Sequence, residues 1–293
     1  VLIDYRTVDP RHSQEEDLLI CRFDGMEHFL CVGERTLSPG EDRRRASRRA
    51  SDKGWFGTST YGDSLLLARK GWPEGERAME KFLPEMMSWF SEHTQRDRWL
   101  LDVEGEEIDV PRMLNGEPEC WRHRQTTSGK RRGRKYIHIV VNCAVSCAVA
   151  GTEVAQRGAC IAGFIATVER VGYQVQLTVI EGIRSGPAFG RYLALIVPVK
   201  DYNDRFDLPS LVYPLSHPSM LRRQMFAAKE MLPPAIRTEF GCLGGDYGFP
   251  ARRLAARAVP DAHIALNMKD EITPQKLLYA AKTAGFIFTR EAA

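Results

Sequence analysis

Residues 136–180 constrain the fold of this 293-residue chain more than any other stretch. YIHIVVN (136–142) is a continuous apolar run of the kind that forms a strand buried on both faces. After a loop to Gly151, residues Thr152–Val171 read as one helix, with Thr152 as its N-cap and Gly172 as its stop. YQVQLTVI (173–180) then alternates as a strand, and YLALIVPVK (192–200) is another. A strand, a helix and a strand joined by a crossover of this length predict a right-handed parallel unit. HIALNM (263–268) adds a late strand, and PQKLLYAAKTAG (274–285) a helix capped by Thr273 and ended by Gly285. The expectation is an α/β fold: a three-layer core with a mostly parallel sheet over residues 136–293.

The N-terminal part is harder to place. DLLICRF and HFLCV are short apolar runs broken by Gly and Pro. Asp63–Lys70 reads as a helix that stops at Gly71. Residues Glu74–Glu92 read as a longer amphipathic helix, with Met79, Phe82, Leu83, Met86, Met87 and Phe90 at three- and four-residue spacing. Residues 1–121 are therefore taken as an α-rich N-terminal extension that either joins the sheet or stands beside it. Proline starts and ends a further helix at Pro218–Leu232.

Charge is distributed unevenly. The net charge is +3. Residues 43–53, RRRASRRASDK, carry +5, and residues 122–135, RHRQTTSGKRRGRK, carry +7, so subtracting both leaves −9 for the remainder. SPGED and SDKG flank the first run and mark 40–54 as an exposed or disordered loop. Arginine-rich runs neutralise phosphates and bind nucleic acid in a salt-sensitive way. Trp55, Phe56 and Tyr61 follow the first run, and Trp121 and Tyr136 flank the second. Aromatic faces beside cations suit single strands, whose unpaired bases can stack. The candidate contact residues are Arg43, Arg44, Arg45, Arg48, Arg49, Lys53, Trp55 and Phe56, then Lys130, Arg131, Arg132, Arg134, Lys135 and Tyr136. Arg222, Arg223, Arg252 and Arg253 are candidates to extend that surface, with simple ion pairs as the alternative for Arg222 and Arg223, which lie on a helix.

Signals for catalysis are weak by comparison. The seven cysteines are odd in number and scattered; Cys143 and Cys147 have no second pair to complete a zinc site. GCLGGDYG (241–248) matches neither a P-loop nor a dinucleotide pattern. His138 falls within a buried strand, and His217 precedes a helix with no carboxylate or nucleophile tied to it by sequence. No catalytic residue, cofactor or metal is assigned. The charged, proline-broken N-terminus and the lack of a long apolar run predict a soluble cytoplasmic protein that avoids membranes.

Two resemblances add to this reading. The order of elements resembles a von Willebrand factor A-type fold at the level of topology. That family's metal loop is Asp-x-Ser-x-Ser, and the matching positions here are Asn142, Ala144 and Ser146. Without the carboxylate and one hydroxyl the loop is degenerate, so this resemblance implies an adaptor protein binding another protein as the alternative reading. Separately, FGTSTYGDSLLLARKGWPEG, RGACIAGFIATVERVGYQVQL and SHPSMLRRQMFAAKE, within residues 55–285, resemble a family of tailed-phage proteins. That family includes Drc-like single-stranded-DNA-binding RNA polymerase cofactors of phages related to coliphage N-four. The resemblance implies a non-enzymatic transcription cofactor in the cytoplasm of an infected bacterium. It would bind single-stranded DNA and recruit the phage RNA polymerase to melted promoters; homo-oligomerisation stays open.

Overall fold

A computed structural model describes residues 2–6, 18–50, 53–77, 80, 95–96, 98–105, 107–125, 136–170, 172–186, 191–205, 207–243, 247–251, 254–268, 270, 272–286 and 289–290. In chain order the main elements are β1 (Leu2–Arg6), β2 (Leu18–Arg22), α1 (Met26–Glu34) and α2 (Tyr61–Lys70). A small antiparallel unit follows, with β3 (Arg98–Asp102), β4 (Glu107–Ile108), α3 (Val110–Leu114) and β5 (Trp121–Gln125). The core segment comprises β6 (Tyr136–Asn142), α4 (Gly151–Arg170), β7 (Gln174–Arg184), β8 (Tyr192–Lys200) and α5 (Leu208–Ser216). A buried π-helical turn, Met220–Met225, runs into α6 (Phe226–Glu230). Then come β9 (Phe249–Pro250), α7 (Leu254–Ala258), β10 (Ile264–Asn267) and α8 (Pro274–Thr283).

The central sheet has the order β1-β2-β8-β7-β6-β10, with β9 paired to β7. β6 is parallel to both β7 and β10, and β2 is parallel to β8, while β7 and β8 run antiparallel. The mostly parallel α/β core expected from residues 136–200 is therefore present. The extension is not separate from it. Leu18–Arg22 forms a sheet strand, and Ile20 and Cys21 are fully buried.

Side-chain alternation on the strands separates two apolar layers. Leu19, Cys21, Ile139, Val141, Leu177, Val179, Leu195 and Val197 face the larger layer, which includes side chains of α1, α4, α5 and α8. Ile20, Val140, Ile180 and Ile196 face a smaller one, closed by Leu254, Ala255 and Ala258 of α7. Each fully buried aliphatic side chain contributes about 1.5–3 kcal/mol. Two glycines permit close approaches. A Cβ at Gly158 would stand 2.0 Å from the Leu215 carbonyl oxygen, so α4 and α5 pack backbone to backbone there. At Gly182 it would meet Leu254 at 2.9 Å and the Asn142 amide at 3.1 Å.

Several local expectations shift. The first core helix starts at Gly151, one residue before Thr152. α2 starts at Tyr61, because Thr60 caps it in a reciprocal capping box with Asp63. Of the helix expected over 74–92, residues up to 77 and residue 80 are helical, and the remainder lies outside the described residues. The stretch 40–54 is not a plain exposed loop in its described part. Pro39–Asp42, Ala46–Arg48 and Lys53–Phe56 each form a short helical turn packed onto the body of the protein. Among the described residues, no helix is long and apolar enough to cross a membrane.

Candidate nucleic-acid interface and the buried arginine network

The first arginine run divides according to what its guanidinium groups meet. Arg45 is 1% exposed. Its Nε donates to Glu230 Oε2 at 2.7 Å, while Nη1 and Nη2 donate to the carbonyls of Arg35 and Gly33 at 2.8 and 2.9 Å. Ser47 supports the same carboxyl group: its backbone N–H donates to Oε1 at 3.1 Å and its hydroxyl to Oε2. Arg48 donates to the carbonyls of Gly33 and Glu34 and lies 4.0 Å over the Tyr61 ring. These two arginines are therefore removed from the set of phosphate contacts. Their donors already satisfy acceptors that would otherwise be buried without partners.

Arg43, Arg44 and Arg49 point outward and are exposed, as is Lys53. Among the described residues, none of these four forms an ion pair. Lys53 lies just before Gly54, whose carbonyl approaches Gly151 at the start of the 20-residue helix α4. The N-terminal end of that helix's dipole adds positive potential on the same side.

The aromatic candidates separate in a similar way. Phe56 is buried beneath Arg223, whose guanidinium carbon is 4.3 Å from the ring centroid. Trp55 is half-buried; its Nε1 donates to the Cys147 carbonyl at 3.0 Å, and Arg222 lies 4.6 Å over its ring. Both rings already have cations on their faces and so cannot serve as open stacking platforms. Tyr136, by contrast, is 50% exposed and meets Tyr202 edge-on, with centroids 5.3 Å apart. Tyr202 is 66 positions away in the chain, and nothing in its local sequence pointed to it. Lys130, Arg131, Arg132, Arg134 and Lys135 lie outside the described residues, as do Arg252 and Arg253.

The two basic segments do not meet among the described residues. Trp55 binds the loop that follows β6, whereas Tyr136 opens β6. Those points lie at opposite ends of a strand roughly 20 Å long. A ligand touching both Trp55 and Tyr136 would have to span that length.

Arg222 and Arg223 face inward, not toward the surface. They are 1% and 0% exposed. Arg223 donates to the carbonyls of Ser47, Arg49, Thr58 and Ser59 and to the Thr58 hydroxyl, at 2.8–3.2 Å. Arg222 donates to the carbonyls of Trp55 and Val149. Burial lowers both from the usual arginine range. They therefore hold the 47–59 segment against the core. In the next turn, Lys229 Nζ lies 2.6 Å from Glu181 Oε1 and 2.8 Å from the Tyr247 carbonyl. Burial raises the Glu181 carboxyl, and the Lys229 ammonium opposes that shift. Tyr247, in the glycine-rich loop, donates its hydroxyl to Glu230 and accepts from the Ala46 amide at 3.0 Å.

The two remaining sites of possible chemistry are also occupied by packing contacts. Asn142 Oδ1 accepts from the amides of Ala144 and Gly182 at 3.1 and 2.9 Å, and its Nδ2 donates to the Ala251 carbonyl at 3.0 Å. The amide thus stitches its own loop to neighbouring backbone, in the position where the metal-binding family has a carboxylate. Among the described residues, no group of three or more His, Cys, Asp or Glu side chains could hold a metal ion. His217 stacks on Tyr213, meets the Trp72 ring edge-on, and pairs through Nδ1 with the Ser219 hydroxyl at 2.7 Å. Burial pulls its pKa down to about 4. His138 Nε2 pairs with the Thr178 hydroxyl at 3.0 Å inside the sheet, the satisfied position its sequence context suggested.

Residues 11–281 match a protein family described as a domain of unknown function, DUF7192. The match covers most of the chain, and the protein belongs to that family. No curated protein and no solved structure matches it.

Proposed function

We propose that this protein binds single-stranded DNA without catalysis. The contacts would be the outward guanidinium groups of Arg43, Arg44 and Arg49, together with Lys53, the basic run at 130–135 and the open face of Tyr136. The observation that carries the reading is the division within RRRASRR. Two of its arginines are fixed to the body of the protein, and so they hold the other three outward on a well-packed support. An array of cations that meets no carboxylate among the described residues, in a chain that carries −9 outside its two basic segments, suits a polyanion. Tyr136 and Tyr202 supply an aromatic edge beside the second basic segment, where an unpaired base could stack.

The biological role that fits this chemistry is the one implied by the phage resemblance. In that role the protein is a cofactor in the cytoplasm of an infected bacterium that brings the phage RNA polymerase to locally melted promoters. A gel shift with single-stranded DNA, duplex DNA and RNA of equal length, at about 50 and 200 mM salt, tests the binding reading. The expected result is tightest binding to single strands, weakening steeply with salt. Equal or stronger retention of duplex, or no shift at the lower salt, would overturn it. Retention of the phage polymerase on the immobilised protein tests the recruiting role.

A further inference from the structure

Residues 102–119, DVEGEEIDVPRMLNGEPE, carry seven acidic residues against one arginine. They follow β3 and contain β4 and α3 of the small antiparallel unit. Among the described residues eight large apolar side chains are exposed, and four of them lie here: Val103, Val110, Met113 and Leu114, the last 76% exposed. The helix is held by contacts of its own. Asp109 caps it through the Arg112 amide and pairs with Arg122, and Arg112 pairs with Glu117. Glu104, Glu107 and Glu119 are exposed and form no ion pair among the described residues. Val110, Met113 and Leu114 stand at three- and four-residue spacing on one short helix, and acidic residues flank that helix in the chain on both sides. Exposed apolar groups clustered inside a polar rim mark a protein-binding face.

The complementary surface is on the same chain. Arg43, Arg44 and Arg49 form an outward cationic array, and within one copy the described residues show no ion pair between it and residues 102–119. We infer that the 102–119 face of one copy docks on the 43–49 segment of a second copy. The carboxylates complement the three outward arginines, and Met113 and Leu114 are desolvated at the centre of the contact. The two patches differ, so the contact either closes as a two-fold pair in which each copy uses both patches or propagates head to tail.

Sedimentation velocity of the full chain tests this. Association is expected at about 50 mM salt and should revert to monomer near 500 mM, where exposed ion pairs are screened. Replacing Met113 and Leu114 by Ser should weaken association about tenfold or more and, because docking covers Arg43, Arg44 and Arg49, should raise oligonucleotide affinity at the lower salt. Both residues are exposed, so this variant keeps its fold. The triple variant Arg43→Glu, Arg44→Glu, Arg49→Glu should stay monomeric alone, as should Glu104→Lys, Glu107→Lys, Glu119→Lys. Mixed together, the two should associate. A wild-type monomer at low salt would overturn the inference, as would association undiminished in the Met113 and Leu114 variant, or failure of the charge-swapped pair to associate. Both readings use Arg43, Arg44 and Arg49, so the single-strand reading is judged on the non-associating Met113 and Leu114 variant: loss of its oligonucleotide binding would overturn that reading and leave the docking inference standing.

Discussion

The stretches RRRASRR at 43–49 and MLRRQM at 220–225 both contain adjacent arginines, and those arginines do different work. At 222 and 223 both guanidinium groups are buried; among the described residues their hydrogen bonds go to backbone carbonyls and the Thr58 hydroxyl, and none goes to a carboxylate. At 43–49 the inward pair, Arg45 and Arg48, behaves in the same way, with the Glu230 and Asp42 carboxylates added at Arg45, while Arg43, Arg44 and Arg49 meet no carboxylate among the described residues. The difference teaches that a run of arginines is not by itself a binding surface. A planar guanidinium with five donors can tie together several carbonyls of an otherwise irregular segment. The charge left over for a ligand is only that of the residues which find no such acceptors.

This contrast can be broken by mutation, and the largest effect is expected at Glu230. Replacing Glu230 by Gln removes the buried carboxylate from the Arg45 guanidinium and leaves it only the more exposed Asp42 at 3.2 Å, which should cost about 3–5 kcal/mol of folding free energy. Urea denaturation measures the loss, and earlier proteolytic cleavage within 43–59 should accompany it. A cost below about 1 kcal/mol would show that the ion pair does not hold the segment.

The next effect is one of pH. His217 has a folded pKa of about 4 against an ordinary value of 6.5, so the unfolded chain takes up its proton first as pH falls. This contribution is fully present above pH 6.5 and is lost as pH falls from there through about 4. It amounts to about 3 kcal/mol across the window. A His217→Gln variant should lose that part of the acid dependence, which thermal melts at a series of pH values would show.

Arg223→Lys comes third. A single ammonium cannot reach four carbonyls and a hydroxyl together, so about 1–3 kcal/mol should be lost although the charge is kept. Full stability in the lysine variant would show that charge, and not the fork, is what that position requires. The smallest effect on folding is expected from Gln at Arg43, Arg44 and Arg49, which should change stability by no more than about 0.5 kcal/mol.

Much of the fold was legible because its signals are local. YIHIVVN and YQVQLTVI declare their periodicity within eight residues, and Thr273 and Gly285 bracket the last helix as caps should. Where a long-range partner decides, the sequence is silent. Leu18–Cys21 is an apolar run of four, too short to distinguish a strand from a helix, until Tyr192–Ile196 pairs with Leu18–Arg22. Helix α5 is masked by Pro209 and Pro214, which read as loop signals; Pro209 occupies the tolerated first turn, and Pro214 lies within the helix. The site shows the same limit. Arg45 and Glu230 lie 185 positions apart, and neither local context announces that one will neutralise the other. Tyr136 kept its exposed position because it begins a strand, whereas Trp55 and Phe56 were drawn under Arg222 and Arg223, arginines whose burial no local pattern revealed.

The division of the arginine run into supporting and contacting members is tested most directly by the salt dependence of oligonucleotide binding. Fluorescence anisotropy with a labelled deoxythymidine oligonucleotide, measured from about 50 to 300 mM salt, gives the slope of log affinity against log salt. Replacing Arg43, Arg44 and Arg49 by Gln should make that slope shallower by about 2, since each phosphate contact on a single strand contributes about 0.7. Wild-type affinity and slope in the folded triple variant would contradict the account.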